Sequence, residues 1–505
     1  MPGPVARYDY VVIGAGSAGC ACAAMLADRE AGRVLVVEAG PSDRWPLVRM
    51  PFGLVWMMGS RHRDWRFRSV PQTGAGGREI AIPRGRMLGG SGSINSMVWF
   101  RGLPADFDGW NLPGWRWSDV APAFDAVEAR LRPARLEGAH PLAEALGGLF
   151  PANDPTAIPD PGRESAGVFR FNLHRGRRWS AADAYLRPAM DRGVTVLTGR
   201  EVARIGIAGD RADRVIFADG SEVRAARGIV LSAGSIGSPA ILLASGLGPA
   251  DDLRAAGIDP VADLPGVGAN LHDHPGVGLH FMGPGSGYGL DPSLALRWLA
   301  APLGWALRGR GILASPTVEG GAFFAASGDG APDIQSHFIP FLLGWDGRKY
   351  RRGRGYFADA VVCRPRSRGA LRLGRAGLEI DLGLFRDEAD LDLLTRGWLR
   401  LRALMAEAPF GRHAAPEVYP GPTVTEETAR DHVRTHAGTA YHPVGTLRMG
   451  TDLGAPVTPD LALRGVRGLW VADASVMPAV TSANTNAPSM MIGHRAGEII
   501  AAAAA

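Results

Sequence analysis

The chain has 505 residues, more than one hydrophobic core usually serves, so two domains or lobes are expected. Its 46% hydrophobic and 21% charged residues are those of an ordinary soluble globular protein, and no apolar stretch approaches the roughly 20 residues needed to cross a bilayer. The net charge of +5 does not mark a nucleic-acid partner, because the arginines are scattered, Lys349 is the only lysine, and no basic run forms a footprint.

No basic segment followed by a long apolar one precedes Tyr8, so no secretory signal is read and a cytoplasmic location is expected. The run Tyr8-Asp9-Tyr10-Val11-Val12-Ile13 is apolar and β-branched, the pattern of a buried parallel strand. It runs straight into Gly14-Ala15-Gly16-Ser17-Ala18-Gly19, then into a helix of small residues to Asp28, then into a second β run, Val34 to Val37, ending in Glu38 with Ala39 beyond. In such a unit Gly14 makes the tight turn, Gly16 lets the backbone approach a pyrophosphate, and Gly19 lets helix and strand pack closely. The helix N-terminus offers free N–H groups to phosphate, and Glu38, 19 residues after Gly19, can bind ribose hydroxyls. The unit fits NAD or FAD, while its acidic residue disfavours a 2′-phosphate. Cys20 and Cys22 on the helix, with Cys363, give an odd count and no zinc-ligand spacing, so neither a disulfide framework nor a metal site is expected.

Further glycine-rich segments follow in order. The first is Gly85-Arg86-Met87-Leu88-Gly89-Gly90-Ser91-Gly92-Ser93-Ile94-Asn95, continuing through Met97, Val98 and Phe100-Arg101-Gly102. The second is a β run, Gly228 to Ala233, entering Gly234-Ser235-Ile236-Gly237-Ser238-Pro239, with Gly266-Val267-Gly268-Ala269-Asn270-Leu271-His272-Asp273-His274 after it. Near the C-terminus stand Tyr441-His442-Pro443-Val444-Gly445-Thr446, then Leu469-Trp470-Val471-Ala472-Asp473-Ala474, then Ala483-Asn484-Thr485-Asn486-Ala487-Pro488. Together these resemble the signatures of the glucose–methanol–choline (GMC) family of FAD-dependent oxidoreductases, over residues 8 to roughly 498.

The resemblance implies an α/β fold of mixed character: a Rossmann-type FAD-binding domain and a second, substrate-binding domain on an antiparallel sheet. The expected division is 6–275 with 436–505 for FAD and 276–435 for substrate, with 45–80 as a candidate lid. It implies His442 as catalytic base and Asn486 as the second catalytic residue. It also implies FAD contacts from Gly14, Gly16, Ser17, Ala18, Gly19, Glu38 and Ala39; from Arg86, Leu88, Gly89, Gly90, Ser91, Asn95, Met97 and Val98; and from Val202, Ala233, Gly234, Ser238, Asp473, Ala474, Asn484, Asn486, Ala487 and Pro488. Some members tether FAD through a His before the Asn of the first signature; Ile94 stands there, so FAD should be noncovalent.

In the middle, a Gly-, Pro- and Trp-rich stretch at 283–316 precedes β runs at 334–341, 356–365, 370–373 and 379–384, with Pro365-Arg366-Ser367-Arg368-Gly369 read as a hairpin connection, and a helix near 388–407. Trp56, Trp65, Trp99, Phe338 and Phe341 are candidates for the pocket wall or for ordinary core packing, and no carboxylate cluster marks a cationic alcohol. Alcohol oxidation needs a base for the hydroxyl proton, and a neutral imidazole with an ordinary pKa of about 6.5 suits that role. The expected reaction is oxidation of a primary alcohol, hydroxymethylfurfural-like, pyridoxine-like or choline-like, with O2 or another electron acceptor. Lyase or decarboxylase chemistry on the same fold is the alternative, and a flavin-binding module without catalysis a third reading. The acceptor and the oligomeric state are left open.

Overall fold

A computed structural model describes residues 7–154, 163–328, 330–342, 352–375 and 377–503; Lys349, position 6 and the last two alanines lie outside them. The apolar run at the start forms the strand Arg7–Ile13, paired in parallel with Val34–Glu38 on one side and Glu222–Leu231 on the other. Thr195–Thr198 adds to the outer edge of Val34–Glu38, and Leu469–Val471 adds in parallel to Glu222–Leu231. The five strands are thus drawn from three distant parts of the chain. In the two central neighbours, Arg7–Ile13 and Val34–Glu38, the residues from Tyr10 to Ile13 and from Val34 to Glu38 are buried, as a sheet covered on both faces requires, whereas the edge strand Thr195–Thr198 is partly exposed. Antiparallel strands Val202–Ala208 and Arg211–Phe217 extend the sheet from the first half of Glu222–Leu231.

The helix Ser17–Asp28 covers one face, and the last helix, Asn486–Ala502, packs directly on it. Small residues permit that approach: a Cβ on Gly493 would stand 2.1 Å from the Ala18 carbonyl oxygen, and one on Gly497 would stand 2.4 Å from the Met25 Cβ.

A second, antiparallel sheet has the order Glu417–Tyr419, Pro275–Met282, Gly355–Val362, Ile334–Ile339, Gly320–Phe324, Ser165–Val168. The helix Glu388–Glu407 lies across it, with Gly397 against Ile334. Two expectations change here. Ser165–Val168, from the stretch assigned to the FAD domain, is an edge strand of this sheet, so a cut at 275 does not separate the two sheets. Residues 365–369 do not connect a hairpin either: Ala370–Gly374 pairs only with Gly377–Asp381, as a separate hairpin. The turn before it is held by the Asp390 carboxylate, which accepts from the amides of Arg366 at 2.8 Å and Ser367 at 2.7 Å.

Replacing Gly493 by Leu should therefore force the first and last helices apart, at a cost of about 1–3 kcal/mol or more. A lowered thermal midpoint by circular dichroism checks this, with Gly109→Ala, whose added Cβ meets nothing within 4 Å, as the control that leaves it unmoved.

Candidate active site

A cavity of about 910 Å3 runs from the turn after Arg7–Ile13 to the inner face of the antiparallel sheet. At one end Gly14, with φ +99°, makes the turn, and a Cβ there would stand 2.4 Å from the Ser232 carbonyl oxygen. A Cβ on Gly90 would stand 2.7 Å from Gly16 Cα, so the two glycine-rich loops touch backbone to backbone. Glu38 ends its strand inside the cavity, and its carboxylate accepts from the amides of Ala15 at 3.0 Å and Gly40 at 2.8 Å. Burial pushes its carboxyl up to about 7, against the pull of those amides, so it can both accept from and donate to a diol near neutral pH. Asp473 accepts from the amides of Gly234 and Ser475, both at 2.8 Å, fixing the turn at which Glu222–Leu231 meets the helix Gly234–Ala244.

Of the expected cofactor contacts, Gly14, Gly16, Ser17, Ala18, Glu38 and Ala39 line the cavity. So do Gly90, Ser91, Asn95, Met97, Val98 and Val202, and on the far wall Ala233, Gly234, Asp473, Ala474, Asn484 and Asn486. Gly19, Arg86, Leu88, Gly89, Ser238, Ala487 and Pro488 do not line it. Gly19 and Gly89 shape the loops from behind: a Cβ on Gly19 would collide with the Gly14 carbonyl, and the Gly89 amide donates to the Ala15 carbonyl at 2.7 Å. The Ser238 hydroxyl bonds Asp473, Leu88 packs against the core, and Ala487 and Pro488 are buried in the last helix. Arg86 stands behind the lining, with its guanidinium 2.8 Å from Glu201 and 4.8 Å above the Trp65 ring, two residues that do line the cavity.

Arg178 is a residue that sequence reasoning passed over. Fully buried, it donates to the Val48 carbonyl at 3.1 Å, the Gly92 carbonyl at 3.0 Å and Asn95 Oδ1 at 2.8 Å. It thereby ties the segment after residue 45 to the second glycine loop. From that segment Leu54, Val55, Met58, Trp65 and Phe67 line the cavity. Trp56 points outward and is half exposed, Trp99 donates to Glu128, and Phe338 and Phe341 pack on other rings. Of the candidates Trp65 does line the cavity, and the other aromatic walls are Phe67, Phe357 and Tyr441.

At the other end His442 faces the cavity. Its amide donates to Asp273 Oδ1 at 2.9 Å, and the same oxygen accepts the His274 amide at 2.7 Å. The His442 ring lies between two partners, with Nδ1 3.1 Å from His274 Nδ1 and Nε2 3.1 Å from Asn484 Nδ2. Asn484 Nδ2 is also 3.2 Å from His337 Nε2, while Asn484 Oδ1 accepts from Gln335 Nε2 at 3.0 Å. That last bond turns the amide nitrogen toward both imidazoles, leaving their Nε2 atoms as acceptors. Burial, then the neighbouring His274 and His337 rings and Arg84, holds the His442 imidazole well below its ordinary pKa, so it is neutral at pH 7. His337 Nδ1 lies 3.2 Å from Asp359, and although burial alone lowers the ring, that carboxylate raises it above its ordinary value.

The structure therefore corrects the second site residue. Asn484 meets His442, whereas Asn486 begins the last helix, accepts from Ser17 Oγ at 2.7 Å, and keeps Nδ2 buried without a partner among the described residues. His337, Asp359, Gln335 and Asp273 were not singled out as site residues in the sequence. The signal was a His, a Gln and an Asp inside otherwise apolar strand runs. Three non-glycine residues of the lining, Met97, Thr317 and Tyr441, have positive φ of 58°, 70° and 68°. Such backbone persists only where its surroundings fix it, and Tyr441 immediately precedes the imidazole.

Two glycine loops meeting over a parallel sheet, with an imidazole–amide cluster across the cavity, define a dinucleotide-binding oxidoreductase. The GMC oxidoreductase family profiles match residues 8–276 and 365–493, and the chain belongs to that family. It is 33% identical to an alcohol dehydrogenase (acceptor) of Pseudomonas putida, over 98% of this chain and 95% of the relative. It is 36% identical to an oxygen-dependent choline dehydrogenase of Brucella canis, over 97% and 95%. The crystal structure of pyridoxine 4-oxidase from Mesorbium loti superposes with a TM-score of 0.85 at 28% identity, covering 97% of this chain and 98% of that one.

FAD is the cofactor, and the cavity fits it. The touching glycine loops leave a cradle that side chains would fill, and Asn486 Nδ2 is an orphaned buried donor beside the first turn. Ile94 stands at the tethering position, in agreement with noncovalent binding. Glu38→Ala should lower the FAD-to-protein ratio after gel filtration while the chain stays folded, and an unchanged ratio would remove Glu38 from the cofactor contacts.

Proposed function

We propose that the protein oxidises a primary alcohol to the aldehyde, with His442 taking the hydroxyl proton and Asn484 holding the substrate oxygen. The observation that carries this reading is the cluster at the end of the cavity: a neutral His442 whose Nε2 faces an amide donor oriented by Gln335. FAD, when bound, would supply the two-electron acceptor for the substrate's hydride, with O2 or another acceptor as the final oxidant.

Two glycine loops, Glu38, Asp473 and Asn486 would hold the cofactor. A hydroxyl entering the cavity would donate to His442 Nε2 and accept from Asn484 Nδ2, exchanging one donor–acceptor contact for two. Asp273 keeps the imidazole in place by binding its backbone amide rather than its ring, so the ring stays free to gain a proton. His274 Nδ1 opposite His442 Nδ1 favours the tautomer with Nε2 bare. A general base of this kind contributes roughly 100- to 10,000-fold in rate.

Asp359 is the one carboxylate of the cavity near His442, and it already pairs with His337. Apolar and aromatic walls beside that pair favour a neutral aromatic or heteroaromatic primary alcohol over a permanently cationic one.

His442→Ala should keep the yellow cofactor and lower turnover by roughly 100-fold or more. Flavin bleaching by a panel of alcohols without air, followed by admission of air, measures both half-reactions; a lyase would turn over without bleaching. Asn484→Ala should raise KM and lower kcat, whereas Asn486→Ala should chiefly reduce FAD retention; the reverse pattern would restore Asn486 to the reacting centre. Because the base works deprotonated and its pKa is depressed, kcat/KM should stay level through neutral pH and fall only below an ordinary imidazole's value, about 6.5. An acid limb above that value would place another group in the role.

A further inference from the structure

The helix Ala295–Arg308 has one face on the protein and one face in solvent, and the solvent face is the apolar one. Leu296, Leu299, Leu303 and Leu307 are 65–81% exposed. At 100° per residue these four fall within one narrow stripe, with Ala300 and Ala306 at its borders. Trp298, Ala301 and Trp305 occupy the opposite side and hold the helix down. The Trp298 ring packs 5.7 Å from Phe52 and 6.0 Å from Phe341, and Trp305 Nε1 donates to the Gly176 carbonyl at 2.9 Å. Isolated exposed leucines are common, but four in a row along a rigid helix form a patch that wants a partner.

Charge identifies the partner. Arg297, Arg308 and Arg310 lie on or just beyond the helix, and the adjoining turn brings Arg175 and Arg177, the latter 5.4 Å over the Trp305 ring. All five are exposed, and none forms an ion pair among the described residues. Residues 283–316 contain one acidic side chain, Asp291, already occupied with the Ser293 amide. A second copy of this surface would oppose arginine with arginine.

We propose that this helix docks the protein, in the plane of the interface, on an anionic lipid bilayer: the leucine stripe enters the acyl boundary and the arginines meet lipid phosphates. No helix among the described residues is long and apolar enough to cross a membrane, so this is attachment to the surface. Phe52, against which Trp298 packs, belongs to the segment whose Leu54, Val55 and Met58 line the cavity. The helix that carries the leucine stripe therefore packs, through Trp298 and Phe52, on the segment that lines the cavity.

Co-sedimentation of the FAD-loaded protein with phosphatidylglycerol/phosphatidylcholine vesicles tests this, beside pure phosphatidylcholine and at low and high salt. Binding is expected to the anionic vesicles only, weakening as salt shortens the screening length. Leu299→Asp with Leu303→Asp should lower the bound fraction at least about tenfold, with flavin content and turnover of a dissolved alcohol unchanged. Leu299→Ala with Leu303→Ala should give a smaller loss and covers the case in which the charged pair misfolds. The proposal is overturned if the holoprotein stays in the supernatant with both vesicles. It is equally overturned if the leucine variants bind as the parent does, or if light scattering shows a dimer that they split while vesicle binding is absent.

Discussion

The last helix lies so close on the first that glycine is required at the contact, and the rest of the site depends on that approach. With Gly493 against Ala18 and Gly497 against Met25, the end of the chain is fixed to the turn where the nucleotide sheet begins. Asn486 then reaches Ser17, and the loop before it carries Asn484 across the cavity to His442. The parallel pairing of Leu469–Val471 with Glu222–Leu231 fixes the other end of the same stretch and sets Asp473 at the Gly234 turn. Ser17 and Asn486, 469 residues apart, come within hydrogen-bond reach because the glycines let the two helices close in on each other.

The polar cluster opposite has a different origin. Strands Ile334–Ile339 and Gly355–Val362 are antiparallel with Gln335 beside Val361 and Phe338 beside Ala358, which sets His337 opposite Asp359. Side chains two apart share a face, so Gln335, His337 and Ile339 point the same way, as do Phe357 and Asp359. One face thus supplies the amide that orients Asn484, the second imidazole and the apolar wall. In a low-dielectric pocket each of these groups is costly unless paired: His337 pairs with Asp359 and Gln335 Nε2 with Asn484, while Gln335 Oε1 is buried without a hydrogen-bond partner among the described residues. The unpartnered Asn486 Nδ2 belongs to the cofactor end.

Much of this was legible in the sequence. Strand, glycine turn, helix and terminal Glu are local, so the nucleotide half could be read almost residue by residue, and His442 lies in a short fixed motif. Two placements turn on local geometry that the motifs do not fix. Asn484 and Asn486 are two residues apart in the same Asn-Thr-Asn run, and only the position at which the helix starts decides which of them stays in the loop and meets His442. Arg86 sits inside a signature but does not line the cavity itself; it meets Glu201 and Trp65, which do. The His337–Asp359 pair depends on strand register across an intervening loop, which linear sequence does not display. Ser165–Val168 joins the second sheet by a pairing of the same long-range kind.

Register and burial also bear on how the His442 imidazole is kept neutral. An imidazole among two others and an arginine is driven toward its neutral form, and the same burial that lowers His442 raises Asp273 to about 6. Asp273 remains mostly ionised at neutral pH because Thr439 and the amides of His274 and His442 donate to it. Its charge is spent on backbone donors, so it fixes where the ring stands without making the ring more basic. Position and protonation state of the His442 imidazole are thereby set by separate groups: Asp273 through the backbone, and His274 with Asn484 through the two ring nitrogens. A pocket built this way can vary its walls, Phe67, Phe357 or the Asp359 pair, while His442 Nε2 stays where it is.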